Sequence, residues 1–548
     1  MKRPRLRRRS PRLPFIVLLA AAIGAAAWQA RIDEDRGTAL AHTVDGAAAA
    51  GSVGAMPAVA SDAALASTWY CAAGTGDEGG MADHTVTILN PGDRSLEASV
   101  TVYGGVLASS SPTTAESSEA APAPASAPAP AARTIRLPAR DRVELRLGDL
   151  VAAPLVAALV EATGGAVAVE HRVTGPHGVD VGPCTSATAP VWHLASGATT
   201  RDAREVVVLF NPFPTDAIVD ISFDTDAGSR EPVRFQGFPV AAGTVVGVDI
   251  GDDVAREPQV SATLRTRTGR VVVERLQEFD GSLGPEGLAV ALGVPEASTT
   301  WAFADGAVDE GRTERIVVYN PSDERAQVEV RVLPTTDEPA PAPQPFRLSI
   351  RAGTFTVVDY GTDERVAAGV GHATVVRSTN GVPVVAERAM TQAGGRDDQA
   401  DGAVDGEGDD EAEAEGEGGG GTGGDIAVGP GAVVAATRWA FPSSVHGQEA
   451  GVRFVVFNPD PERSVPVTLL AVTSGRETPV EGARDAVVAP GGRLELSDDA
   501  AGRAWVVEAG APVVVERVLV RDGGVLLATG VGIPSLDGSV SLSRLAGP

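Results

Sequence analysis

Apolar and polar residues alternate over short stretches along most of this chain, as in VDISF (219–223) and VEVRVLP (328–334). Successive side chains of a strand point to opposite faces, so a period of two predicts half-buried β-strands. Turn signals of the Asn-Pro, Ala-Gly and Asn-Gly type separate them; Asn380-Gly381, for example, lies between VVRST and VPVVAE. Proline fixes φ and has no N–H, so Asn-Pro ends a strand and opens a turn. Helical spacing is nearly absent. Asp149–Ala162 comes closest, and Pro154 interrupts it.

The pattern recurs four times, and internal repetition redefines the expected fold. Each copy opens on a tryptophan: Trp69, Trp192, Trp301 and Trp439. An apolar strand then ends in Asn-Pro at Asn90, Asn211, Asn320 and Asn458, with Trp-to-Asn spacings of 21, 19, 19 and 19. Further on, a run of valine or alanine closes on Glu170, Glu274, Glu387 and Glu516. Arg275, Arg388 and Arg517 follow directly in the last three copies, whereas His171 precedes Arg172 in the first.

Roughly seven short strands in roughly 100 residues predict a β-sandwich per copy. The copies are expected at 65–188, 189–297, 298–392 and 435–548. A Pro/Ala/Ser-rich insertion, Ser109–Ala132, interrupts copy one and reads as extended and solvated. Residues 393–434 read as an acidic, Gly-rich disordered linker between copies three and four, since like charges hold such a run open. The tandem layout predicts a rod.

Charge and composition fix the surroundings. The net charge is −27, yet the first 12 residues carry seven cations and residues 393–424 carry 11 acids against one arginine. Phosphate recognition needs clustered cations, so an acidic body excludes a nucleic-acid binder. Lys2 is the only lysine, which removes P-loop, Schiff-base and kinase chemistry from the body of the chain. The cations of 1–12 followed by the apolar run of 13–30 form an export signal with a cytoplasmic basic end. Two fates stay open. Ala25-Ala26-Ala27 suits cleavage, which would release the protein, whereas the 18 residues Leu13–Ala30 suffice for an anchor. Either way the remainder is expected outside the cytoplasm, on a flexible spacer at 31–64.

Cys71 and Cys184 are the only cysteines, at the two ends of copy one. In an exported chain they predict one disulfide stapling that copy. Neither CxxC nor a Cys/His cluster supports a metal or reactive-thiol reading. Other candidate chemistry is sparse. The seven histidines form no HExxH, and His171 with His177 straddles a Gly-Pro turn. GxGxxG matches at Gly416, Gly418 and Gly421 lie in low-complexity sequence, and Gly420–Asp425 is a single copy of a calcium motif that needs stacking. No catalytic, cofactor or metal residues are assigned. Adjacent strand residues face opposite ways, so only one member of each Glu-Arg pair is expected to face the core. The tryptophans are expected as plugs within or between copies rather than as sugar platforms.

The unit W-x-F-x-x-G … VVY-N-P … VVVER resembles a repeat of envelope-exposed proteins from high-GC Gram-positive bacteria. The whole layout resembles an actinobacterial family of membrane-anchored extracytoplasmic proteins carrying tandem repeats of this kind, whose activity is uncharacterised. The resemblance implies an all-β, tandem array of four Ig-like sandwiches behind a single N-terminal transmembrane or signal segment, at the cell envelope. It carries over no site residues. The expected function is a non-enzymatic extracytoplasmic scaffold or interaction rod on the membrane, with envelope glycan or envelope proteins as partners. The alternative is a glycan-binding or accessory module for envelope polysaccharide assembly.

Overall fold

The computed structural model describes residues 52–53, 56–61, 63–108, 127–309, 311–335, 343–392, 425–443, 449–498, 500–521 and 526–545. The leader, the acidic run of 393–424 and most of the Pro/Ala insertion lie outside them.

The fold is all-β. Each copy is a sandwich of two antiparallel layers, shown by copy two. Its first layer runs Val191–Leu194, Val260–Thr268 and Ala217–Thr225, with Gly228–Arg230 and Phe238–Val240 at the far edge. Its second layer runs Thr244–Asp249, Ala203–Asn211, Val272–Asp280 and Glu286–Leu292. Alternation decides the faces: Ala217, Val219 and Ile221 are buried between the layers, while Ile218, Asp220 and Ser222 between them stay partly exposed. Copy four folds both central strands from one long strand, Ala504–Arg521, which crosses from the first layer into the second.

The last strand of each second layer decides how the copies sit together. These closing strands are Gly178–Pro183, Glu286–Leu292, Asp425–Pro430 and Leu526–Val531, and they pack side by side in the order one, two, three, four and back to one. Small residues allow the approach. A Cβ on Gly287 would lie 2.6 Å from Ile426 Cγ1, so only glycine fits there. The four sandwiches therefore close into a ring, and the expected rod is corrected. Each copy offers one face to the copy ahead and a different face to the copy behind, and head-to-tail contacts of this kind close when the rotation permits.

Three further boundaries differ from the sequence reading. Asp425–Pro430 pairs with Val385–Gln392, so the acidic segment interrupts the last hairpin of copy three instead of linking copies three and four. Ala131 and Ala132 begin the strand Ala131–Leu137 rather than ending an insertion. Part of the expected spacer belongs to the ring. The Val59 N–H donates to the Pro534 carbonyl and the Leu536 N–H to the Val59 carbonyl, both at 2.9 Å. Copies four and one lack the covalent linker that joins the other neighbours, and this strap takes its place.

In copies two and three the residue before the Asn acts as a knob between copies. Phe210 meets Tyr103 of copy one at 5.2 Å between ring centroids, and Tyr319 meets His193 of copy two at 6.2 Å. Copies one and two gain a parallel strand pair, Gly105–Ala108 with Val245–Val248.

Candidate functional site

The four tryptophans are buried, at 0–1% exposure. Trp192, Trp301 and Trp439 donate their indole N–H to the carbonyls of Val271, Val384 and Val513, at 2.8–3.1 Å. Each bond ties the opening strand to the run that leads into the glutamate three residues later. Trp69 has no such partner. No opening indole is left exposed as a sugar platform.

The asparagines are buried turn staples. The Asn320 amide donates to the carbonyls of Glu324, Ile350 and Arg351, while its Oδ1 accepts from the Ser322 N–H. Asn90, Asn211 and Asn458 repeat this, accepting from Gly92, Phe213 and Asp460. Asparagine suits the position because one amide supplies two donors and an acceptor to three backbone segments.

The glutamates build the contacts between copies. Glu274 Oε2 of copy two accepts from the N–H groups of Ala72 (3.1 Å) and Ala73 (2.7 Å), just after the Trp strand of copy one. Glu387 of copy three accepts from Ala195 and Ser196 of copy two, and Glu516 of copy four from Asp305 of copy three. Glu170 of copy one accepts from Ser443 of copy four at 2.9 Å, which completes the circle.

The residue after each glutamate points the other way and partners the glutamate of the next copy. Arg275 meets Glu387 at 3.1 Å, Arg388 meets Glu516 at 2.9 Å, and Arg517 meets Glu170 at 2.9 Å. In copy one His171 fills the slot, 3.7 Å from Glu274. Both members of each Glu-Arg pair are buried, which corrects the expectation that one would face away from the core. Alternation does turn them apart, but the neighbouring copy covers the outer side.

A position that sequence reasoning missed lies six residues before each Asn: His84, Glu205, Glu314 and Val452. In the first three copies it sits under the glycine five residues after the Trp. A Cβ on Gly74 would lie 2.4 Å from His84, one on Gly197 2.3 Å from Glu205, and one on Gly306 2.8 Å from Glu314. The fixed spacing of this glycine was the available signal.

Burial sets the charge states. It pushes the Glu205 and Glu274 carboxyls up to about 8 and the Asp180 carboxyl up to about 7. Burial pushes His84 down to about 4 and His171 well below the ordinary histidine value. Burial also opposes a charge on His372, but the Glu314 carboxylate 3.1 Å away outweighs it and the pKa is raised.

Cys71 and Cys184 form the expected disulfide. Its place in the repeat explains why only copy one has it. Cys71 stands where copies three and four have Phe303 and Phe441, and Cys184 stands where they have Gly431 and Gly532. Those rings lie over those glycines: a Cβ on Gly431 would be 2.8 Å from Phe303 Cζ, and one on Gly532 2.4 Å from Phe441 Cζ. Ring-over-glycine and disulfide fill the same space.

His177 does not join His171; it bonds Glu286 of copy two at 2.9 Å. Among the described residues no group of three or more His, Cys, Asp or Glu is placed to hold a metal ion, and no helix is long and apolar enough to cross a membrane. Between the closing strands lies a cavity of about 60 Å³, whose lining includes Asp180, Thr529, Trp301, Met56 and Pro57.

No curated protein matches the chain. Among solved structures, the Anabaena sensory rhodopsin transducer is similar at 26% identity and a TM-score of 0.15, over 17% of this chain and 82% of that one. Residues 160–497, more than half of the chain, match the family of unknown function DUF5719, and the chain belongs to that family.

Proposed function

We propose that this chain is a non-enzymatic scaffold of the cell envelope, a four-sandwich ring held outside the cytoplasm by its N-terminal segment. The observation that carries this reading is where the repeated polar residues go. Glu170, Glu274, Glu387 and Glu516, with the three arginines and His171, all bind backbone or one another across the joins. A catalytic centre needs convergent polar groups facing a cavity that admits substrate, and these groups face neighbouring copies instead. The Arg-rich leader and the disulfide support an oxidising, extracytoplasmic setting.

The test uses intact cells producing the full chain. External protease should remove the ring, and Cys71 and Cys184 should resist alkylation until reduced. Pull-down from solubilised envelopes should return envelope proteins. A ring protected from protease with both thiols free would overturn the location. Selective retention on polysaccharide fractions would favour the glycan-accessory alternative, and turnover of an envelope substrate would end the scaffold reading.

A further inference from the structure

Three joins pair a glutamate with an arginine; the first uses two histidines. His84 Nδ1 lies 3.0 Å from the Val156 carbonyl, and His171 Nδ1 lies 2.9 Å from His84 Nε2. A carbonyl only accepts, so His84 carries its proton on Nδ1 and presents a bare Nε2. His171 must then donate from Nδ1, which leaves its Nε2 as the free end of the chain. That nitrogen is 3.7 Å from Glu274 Oε2, and the Ala73 carbonyl beside the ring favours its charged form.

Glu274 is short of partners in its own way. One oxygen takes both amides of Ala72 and Ala73, while the other has no partner and the residue is fully buried. An isolated carboxylate in such a place is strongly disfavoured. Among the described residues its one ion-pair partner is His171. The remaining groups facing the cluster are Asp83 beside His84, and Arg172 and Asp180 on the strands that flank His171.

We propose that the first join is a one-proton latch, in which His171 and Glu274 hold a single proton between them in place of the arginine charge used at the other three joins. Whether the proton sits on His171 Nε2 or on the carboxyl, the pair is neutral overall. Removing it leaves a buried carboxylate without a counter-charge. Adding a second leaves a buried imidazolium facing a neutral acid. The join is therefore tightest near neutral pH and loosens on both sides.

The signs follow from the two groups. Burial raises Glu274 to about 8, above its unfolded value, so its contribution is lost as pH rises toward that figure. Burial holds both histidines below their unfolded value, so their contribution is lost as pH falls below the ordinary histidine range.

Two readouts on the full chain test this. The first is thermal unfolding against pH for the wild type, His171→Arg and Glu274→Gln. The second is amide hydrogen exchange of Ala72 and Ala73, with Ser443 of the fourth join, whose amide sits on Glu170, as internal control. The wild type should lose several degrees on each side of neutrality and lose protection at Ala72 and Ala73 before Ser443. His171→Arg supplies a permanent cation and should shrink both limbs, His84 still contributing on the acid side, and equalise protection. If that variant does not fold, Glu274→Gln decides, because an amide needs no proton and should remove the alkaline loss at Ala72 and Ala73. An undiminished alkaline loss in either folded variant, or protection at Ala72 and Ala73 that tracks the control at every pH, would overturn the latch.

Discussion

The first and third joins share one backbone plan and solve its electrostatics in opposite ways. Both seat a buried glutamate on amides that follow the Trp strand of the preceding copy. At the third join Arg388 binds Glu516, bonds the Asp305 carbonyl and stands over the Phe303 ring, while Asp305 binds Arg493 and Glu314 binds His372. At the first join His171, backed by His84, faces Glu274, and a disulfide replaces the phenylalanine. The difference shows which part of the plan is fixed. The amide-accepting glutamate recurs at every join, because those N–H groups lie between copies, out of reach of water. The counter-charge and the filling beneath it are exchangeable.

The largest expected effect tests that exchangeability through the filling. Replacing both cysteines by alanine leaves a void and frees the 113-residue separation, at a cost of about 4–5 kcal/mol by loop-closure entropy. The pair Cys71→Phe with Cys184→Gly instead installs what copies three and four use. Urea unfolding should show the Phe/Gly pair recovering a substantial part of the loss, since packing returns while the cross-link does not. If it is no better than the alanine pair, the two fillings are not equivalent.

Next comes the counter-charge. Arg388→Met should cost about 3–5 kcal/mol, because it strands Glu516 beside Asp305 in a buried site. His171→Gln should cost roughly 1–2 kcal/mol near neutral pH, since Glu274 is already protonated or shares its proton. Equal losses in the two variants would mean that the first join carries a full ion pair, and the contrast would vanish.

Sequence pattern made the sandwiches legible for definite reasons. Alternation, the Asn-Pro turns and the Trp spacing are local signals, and the local hydrogen bonds of Asn320 and Trp301 obey them. The disulfide was legible because two cysteines at the ends of one copy have a single pairing. Ring closure was not legible. It rests on which copy supplies the amides for Glu170, and no local pattern records that Ser443 lies beside a residue 273 positions earlier. The closing strands were missed because they are short and rich in small residues, as in GVDVGP and DIAVGP. In copy three the acidic segment also separates that strand from its partner. The Glu-Arg pairs were misread because alternation describes one sheet and says nothing of a neighbour covering its far side.

The smallest expected effect lies at the second join, where Glu205 occupies the position of His84. Here Arg275 serves two buried carboxyls, Glu387 at 3.1 Å and Glu205 nearby. One cation cannot neutralise both, so one should be protonated. Burial raises Glu205 to about 8, Arg275 opposes the rise, and Glu387 adds to it. The native state thus keeps a proton that the unfolded chain has already released in the neutral range. Stability associated with Glu205 is full below the ordinary carboxyl value and falls as pH climbs toward about 8. Glutamine has the shape of the neutral acid, so Glu205→Gln should unfold within roughly 1 kcal/mol of wild type at neutral pH and lose less on the alkaline side. A large loss at neutral pH would mean that Glu205 is ionised there. The second join would then tolerate two carboxylates around one arginine, and partner count would no longer explain why the first join, with no arginine, holds its proton.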